Sequence, residues 1–293
     1  MLRICSFAIL TVFAAGNHAR GEANAIYEAL VGPGVKVSPT DTLTLPKPLL
    51  PDELPPDQVR PAIESVVGEK YDWDTFSRKS IVSPFLLKIS EGTAESGPVT
   101  RRVDIYFIAH GSLDVLKQED YLSKQLNLAG NSDQTDSSGK ARLLTADDLR
   151  KRKIETITKP AAPRWIAVNS KLLGKVLINL TTQNIKSEGK DSILIASIAD
   201  PRFKGDAEFP NSWQSLTTDD TGKRQVGPAE PYAGLASYAK ATRIADPPGA
   251  IFMEYHVVFI EPQGWFNGTN LLRSKLPIVA QEMVRRFRRN LGE

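Results

Sequence analysis

Cysteine is nearly absent from this chain: Cys5 is the one thiol in 293 residues. A single thiol closes no disulfide, builds no thiolate zinc site and makes no C-x-x-C redox pair. Histidine is scarce as well, with three residues. No stretch reaches the run of about 20 apolar residues that a bilayer-spanning helix needs. The G-x-S-x-G, H-E-x-x-H and G-x-x-x-x-G-K-[ST] patterns are all missing, so the usual signatures of a nucleophile elbow, a zinc protease and a phosphate-binding loop are missing too. Neither sign of charge dominates. Lys and Arg number 37 against 34 Asp and Glu, a formal net charge of +3, which gives no reason to expect nucleic acid as a partner.

What is present describes a globular protein. Apolar residues make up 41% and charged residues 24%, ordinary values for a soluble fold. The first 25 residues read as an exported leader. Arg3 supplies a short positive region, Ile4 to Ala15 is apolar but too short to span a bilayer, and small residues follow. Two cleavage points fit. Ala23-Asn24-Ala25 would leave Ile26 first, and Ala14-Ala15-Gly16 lies nearer the apolar run. The alternative is an uncleaved anchor helix. Cleavage removes Cys5 and His18, so the mature, periplasmic or extracellular chain keeps only His110 and His256 and holds together by its core alone.

Residues 26–56 form a Pro-rich arm. Eight prolines fall between Pro33 and Pro61. Each removes a backbone donor and biases its predecessor toward extended geometry. The arm reads as a lead-in lying on the domain surface rather than a free tether. From residue 57 to 293 the pattern is that of one α+β domain. A helix starts near Asp57, with Ile63, Val66 and Val67 on one face. Strands follow at 80–91 and 101–112, with Pro84 marking an edge or bulge. A short helix is expected over 113–126, a polar insertion around 127–144, and a helix opening at Thr145 with Asp148 in a capping box. Further strands are expected at 164–172, 174–186, 191–200, 232–245 and 250–261, with 202–230 as a long loop anchored by Trp213. Connections this short exclude parallel neighbours. The expected fold is therefore a curved, largely antiparallel sheet of six to seven strands packed against a long C-terminal helix, KLPIVAQEMVRRFRRNL at 275–291.

This order of elements, ending in AIFMEYHVVFIE and KLPIVAQEMVRRFRRNL, resembles the helix-grip fold of START-like proteins. The resemblance covers roughly 57–293 and rests on element order, not on a diagnostic motif. It implies a curved sheet gripping the terminal helix, with a cavity between them for an apolar ligand. The polar insertion and the Pro-rich arm depart from that pattern.

Candidate chemistry centres on His110, Glu254 and His256. In 250–261 one face carries Phe252, Glu254, His256, Val258 and Ile260. In 101–112 one face carries Asp104, Tyr106, Ile108 and His110. If the two strands are neighbours, both histidines and two carboxylates can share a face. That set suits a divalent metal with open water positions, or a histidine general base for a hydrolase or isomerase. The plainer reading is a solvated sheet face, or histidines satisfied by ordinary hydrogen bonds. Tyr232, Tyr238, Phe252, Val258, Ile260 and Trp265 are the expected walls of a pocket between sheet and terminal helix. Trp265 and Phe266 sit on a Gly-flanked turn, either closing the pocket mouth or packing beneath the helix. Arg285, Arg286, Arg288 and Arg289 make a basic helix end, suited to touching anionic lipid at a membrane surface or simply to facing solvent. Asn179-Leu180-Thr181 and Asn267-Gly268-Thr269 match the glycosylation sequon. Three functions remain open on these grounds: an exported protein binding a hydrophobic or amphipathic small molecule, an enzyme using the histidines, and an envelope structural or interaction module contacting partners through its arm and its basic C-terminal helix.

Overall fold

A computed structural model describes residues 24–38, 41–92, 99–118, 140–155, 162–262, 265 and 271–292. The last part of the helix expected at 113–126, most of the polar insertion, Phe266 and the sequon at Asn267 lie outside these residues. The fold is α+β. One large antiparallel sheet dominates it, with β3 (Leu86–Gly92), β4 (Val99–His110), β5 (Lys140–Leu143), β6 (Arg164–Leu172), β7 (Val176–Glu188), β8 (Ser192–Ala199), β12 (Leu235–Ile244) and β13 (Ala250–Glu261) as its principal strands. Their spatial order is β5-β6-β7-β8-β12-β13-β4-β3. The loop expected over 202–230 instead carries three short strands, β9 (Ser212–Thr218), β10 (Arg224–Val226) and β11 (Glu230–Pro231). β9 pairs with the first part of β7, and β10 and β11 pair with β9. The sheet thus has eleven strands, more than the six to seven expected. β10 and β11 span only three and two residues, too few for a period of two to stand out in sequence.

Both faces of the sheet are covered, which explains why β13 is buried from Ala250 to Ile260. On one face Val103, Ile105 and Phe107 of β4 join Ile251, Met253, Tyr255, Val257 and Phe259 of β13. The C-terminal helix, Leu271–Leu291, packs on them through Leu272, Leu276, Ala280, Val284 and Leu291. A short helix, Leu113–Lys117, adds Leu113 and Leu116 to the same cluster. The other face is covered by the N-terminal segment. Helix α1 (Ala25–Val31) and the small ribbon of β1 (Val35–Lys36) and β2 (Thr42–Leu43) bury Ile26, Leu30, Leu43 and Leu45 over β8 and β12. Helices α2 (Pro56–Val67) and α3 (Trp73–Ser77) bury Leu50, Ile63, Val67, Trp73 and Phe76 over the far ends of β4 and β13. The arm is therefore part of the core. Deleting 26–56 would remove Ile26, Leu30, Leu43 and Leu45 from the first cluster and Leu50 from the second.

A smaller apolar cluster sits under β6, where Trp165, Phe203 and Phe209 meet Leu144, Leu149 and Ile154. The capping box expected at Thr145 and Asp148 is present and opens helix α5 (Ala146–Arg150), the element after α4 (Leu113–Lys117) and β5. Arg152 clamps this corner with a bidentate pair to Asp206. That pair, ahead of the opposing effect of burial, holds the Asp206 carboxyl down at about 2.

The C-terminal helix, α6, does not present its arginines as one basic face. Arg288 is 1% exposed and lies over the Phe107 ring. Its guanidinium donates to the carbonyls of Ile81, Ser83, Pro84 and Ile108. These belong to the turn before β3 and to the part of β4 that runs past the end of β3. One planar fork of donors satisfies carbonyls that neither strand can pair. Arg285 pairs with Glu282, while Arg286 and Arg289 face solvent. Among the described residues no helix is long and apolar enough to cross a membrane.

Replacing Arg288 with Met preserves the stem and removes the donors, so several buried carbonyls lose their partner at once. Urea unfolding of Arg288→Met is expected to show a loss of roughly 2–4 kcal/mol. Arg289→Met, on the exposed side of the same turn, should fall within about 0.5 kcal/mol of the parent.

Candidate functional site under the proline-rich arm

The ladder between β4 and β13 decides which of the sequence-predicted residues meet. Asp104 lies opposite His256, Tyr106 opposite Glu254, and His110 opposite Ala250. The next strand places Tyr238 opposite His256 and Lys240 opposite Glu254. Two polar rows therefore cross the arm-side face: Asp104-His256-Tyr238 and Tyr106-Glu254-Lys240. His110 is on the same face but three rows away, roughly 20 Å at the strand rise of about 3.3 Å per residue. It hydrogen-bonds the Ser77 carbonyl at 2.8 Å at the end of α3. The expected grouping of both histidines is corrected accordingly: Glu254 and His256 come together, and His110 does not join them. Among the described residues no group of three or more His, Cys, Asp or Glu side chains is placed to hold a metal ion.

The two rows meet the arm. Between Pro46 and Pro51 only Lys47, Leu49 and Leu50 carry a backbone N–H, because Pro46, Pro48 and Pro51 have none. An extended segment outside the ladder must find donors and acceptors elsewhere. The sheet supplies them with side chains. Glu254, wholly buried, accepts from the Leu49 amide at 2.6 Å and the Leu50 amide at 3.2 Å. Lys240 donates to the Leu50 carbonyl at 2.6 Å and pairs with Asp52 at 2.7 Å. The Tyr238 hydroxyl donates to the Pro46 carbonyl at 2.8 Å. Lys240 and Asp52 escaped the sequence reading. The available signal was a lysine inside the small, apolar strand LASYAKATRI, two residues from Tyr238 and on its face.

Electrostatics follow from this enclosure. His256 holds Asp104 through Nδ1 at 2.7 Å, and its Nε2 lies 3.7 Å from a Glu254 oxygen. Burial disfavours the imidazolium, but the two carboxylates outweigh it and raise the His256 pKa above its ordinary 6.5. Burial likewise works against the Asp52 carboxylate, yet hydrogen bonds from Lys240 and Ser192 and the lysine charge hold it below its ordinary range. Burial, with Asp104 and Glu254 nearby, pushes the Tyr106 phenol up. For Tyr238, burial leads and Glu254 adds to the same upward shift. His256 also touches both rings, 5.5 Å from Tyr106 edge-on and 4.6 Å from Tyr238. The pair thus lies beneath the arm, with no open face toward a substrate.

The expected pocket walls need a second correction. Tyr238, Phe252, Val258 and Ile260 face the N-terminal segment, not α6. Only Tyr232 and Trp265 belong to the α6 side. There the Trp265 ring packs on Tyr232, Phe259 and Trp213, and Tyr232 donates its hydroxyl to backbone carbonyls at 3.0 Å. These two aromatics close the core beneath the helix. Asn179 of the first sequon sits in mid-strand and accepts from Asn169 at 2.6 Å.

A cleft of about 560 Å³ does open beside the polar rows. Its walls are α1, the arm and the β7–β8 turn, with Tyr27, Pro48, Pro51 and Leu194 as apolar surface and Lys240, Ser192 and Asn24 as polar groups. Glu28, Asp52, Glu53 and Glu188 outnumber Lys47 and Lys240 around it. No family model matches this chain, and no curated protein matches it.

Glu254→Gln keeps one acceptor and turns an NH2 toward an arm amide. We expect a loss of about 2–4 kcal/mol, with amide exchange at Leu49 and Leu50 accelerated before global unfolding. The pH dependence has a defined sign. A group whose pKa is raised by folding stabilises fully below its unfolded value, here 6.5, and that contribution is lost as pH rises through the raised native value. Unfolding free energy should therefore fall on the alkaline side of 6.5, and His256→Asn should flatten that part of the profile.

Proposed function

We propose that this chain is an exported binding protein that holds a small amphipathic molecule in the cleft between its proline-rich arm and the sheet. The observation that carries this reading is the cleft itself. Its volume of about 560 Å³ falls within the range of ordinary ligand pockets, about 300–1,000 Å³. Its lining combines apolar and polar groups. Tyr27, Pro48 and Pro51 offer apolar surface, while Ser192 and Lys240 offer polar groups. The rigid setting supports the reading too, since prolines and buried hydrogen bonds preorganise the wall. The likeness to START-like proteins draws support from a long terminal helix laid across an antiparallel sheet, but the cleft lies on the opposite face from that helix. A histidine-based catalytic reading gains little, because Glu254 is spent on the arm amides and His256, bound to Asp104, is buried beneath the arm.

Native mass spectrometry of the exported protein is expected to show a co-purifying small molecule. Ser187→Trp places a bulky ring at the cleft wall, and should abolish that adduct while leaving the melting temperature close to the parent's. A parent free of adduct, or an adduct indifferent to Ser187→Trp, would remove the proposal.

A further inference from the structure

We propose that the cleft between arm and sheet selects an amphipathic amine, a molecule with an apolar body and one cationic nitrogen. This rests on the binding reading above and adds the charge of the ligand. The cleft's volume and apolar lining fit an amphipathic molecule of any charge, so its ionised groups must separate the classes. Glu28, Lys47, Asp52, Glu53, Glu188 and Lys240 line it. Three of these are neutralised by partners. Lys240 pairs with Asp52 at 2.7 Å and donates to the Leu50 carbonyl at 2.6 Å, with a side chain 4% exposed. Glu188 stands opposite Ile193 on the α6 side of the sheet and pairs with Lys186 at 2.7 Å. Glu28, Glu53 and Lys47 remain, all three exposed. Among the described residues neither Glu28 nor Glu53 pairs with a cation. Two carboxylates thus face the cleft against one ammonium.

Tyr27, half-buried in the cleft wall, shows the sign of the field. Its ring is held perpendicular to that of Tyr238, with centroids 5.4 Å apart. Burial comes first in raising its phenol above the ordinary 10.0, and the charges that add to burial are carboxylates, Glu254, Asp52, Glu28 and Glu53. A phenol held back from ionising by carboxylates marks a place where an anion is disfavoured and a cation favoured. An ammonium there is attracted by Glu28 and Glu53 and by the negative face of an aromatic ring. Pro48, Pro51 and Leu194 receive the apolar body. A carboxylate headgroup in the same place would meet Glu28 and Glu53, with Lys47 as its one unspent counter-charge.

The test is isothermal titration calorimetry of the purified protein with three probes of one chain length: octylamine, octanol and octanoate. Octylamine should bind roughly tenfold more tightly than octanol, and octanoate more weakly than either. Added salt should narrow the gap between amine and alcohol, because the carboxylates concerned are exposed. Glu28→Gln combined with Glu53→Gln should bring the ratio of amine to alcohol affinity close to one. Glu230→Gln, an exposed carboxylate on β11 outside the cleft lining, should keep the ratio of the parent. Equal binding of the three probes, tighter binding of octanoate, or a double variant that retains the preference for the amine overturns the charge assignment and leaves the binding reading in place. Failure of all three probes to bind overturns both.

Discussion

The carboxylate of Glu254 is the constraint around which the arm-side half of this molecule is arranged. It lies at the centre of a sheet, on a strand buried on both faces, where an ionised group is costly unless fully hydrogen-bonded. The arm meets that requirement with two consecutive amides, from Leu49 and Leu50. The arm in turn is a segment whose prolines prevent it from pairing as a strand. Each side satisfies a need the other cannot meet alone. Lys240 and Tyr238 repeat the arrangement with opposite polarity, offering donors to the Leu50 and Pro46 carbonyls. Side chains on a sheet face thus do for an irregular segment what a neighbouring strand's backbone would do for a regular one.

The apolar clusters on either side of the polar rows explain why the network persists. Leu43 and Leu45 lie to one side over β8 and β12, and Leu50 begins the cluster on the other side over β4 and β13. The residues between them, including Pro46 and Pro48, are held at both ends by burial. Docking by apolar contact alone would leave their amides and carbonyls without partners. The polar rows remove that penalty and also fix the register of the arm, because Glu254 accepts only where two successive residues carry N–H groups. Lys47 stands alone between prolines, whereas Leu49 and Leu50 are adjacent.

Much of this was legible in the sequence, and the limits are physical. The period-two pattern of 101–112 and 250–261 assigns every side chain of β4 and β13 to its observed face, because alternation in a strand leaves no freedom. The long C-terminal helix is likewise plain from its apolar stripe. Alternation does not reveal register, and register separates His110 from His256. Paired residues across β4 and β13 have numbers that sum to 360, as with His110 and Ala250 or Asp104 and His256, and no local feature of either strand sets that sum. Nor does alternation say what covers a face. The cover here is a proline-rich arm without periodicity, so a polar face reads equally well as solvent side, as catalytic site or as docking surface.

That ambiguity is resolved by asking where each buried polar atom finds its partner. A catalytic group needs an unspent lone pair or proton facing space a substrate can enter. Glu254 has both oxygens engaged by backbone amides beneath a segment held by burial at both ends. His256 has its Nδ1 committed to Asp104, and its ring is enclosed by Tyr106 and Tyr238. The histidine's role follows from charge. Asp104 and Glu254 are two carboxylates on one buried face, and their charge favours the protonated form of the imidazole between them against the opposing effect of burial. On the binding reading proposed above, contact with a ligand would fall where polar groups border open volume. Among these residues that is the edge of the network, at Lys240, Asp52 and Ser192, where the arm leaves the sheet and the cleft begins.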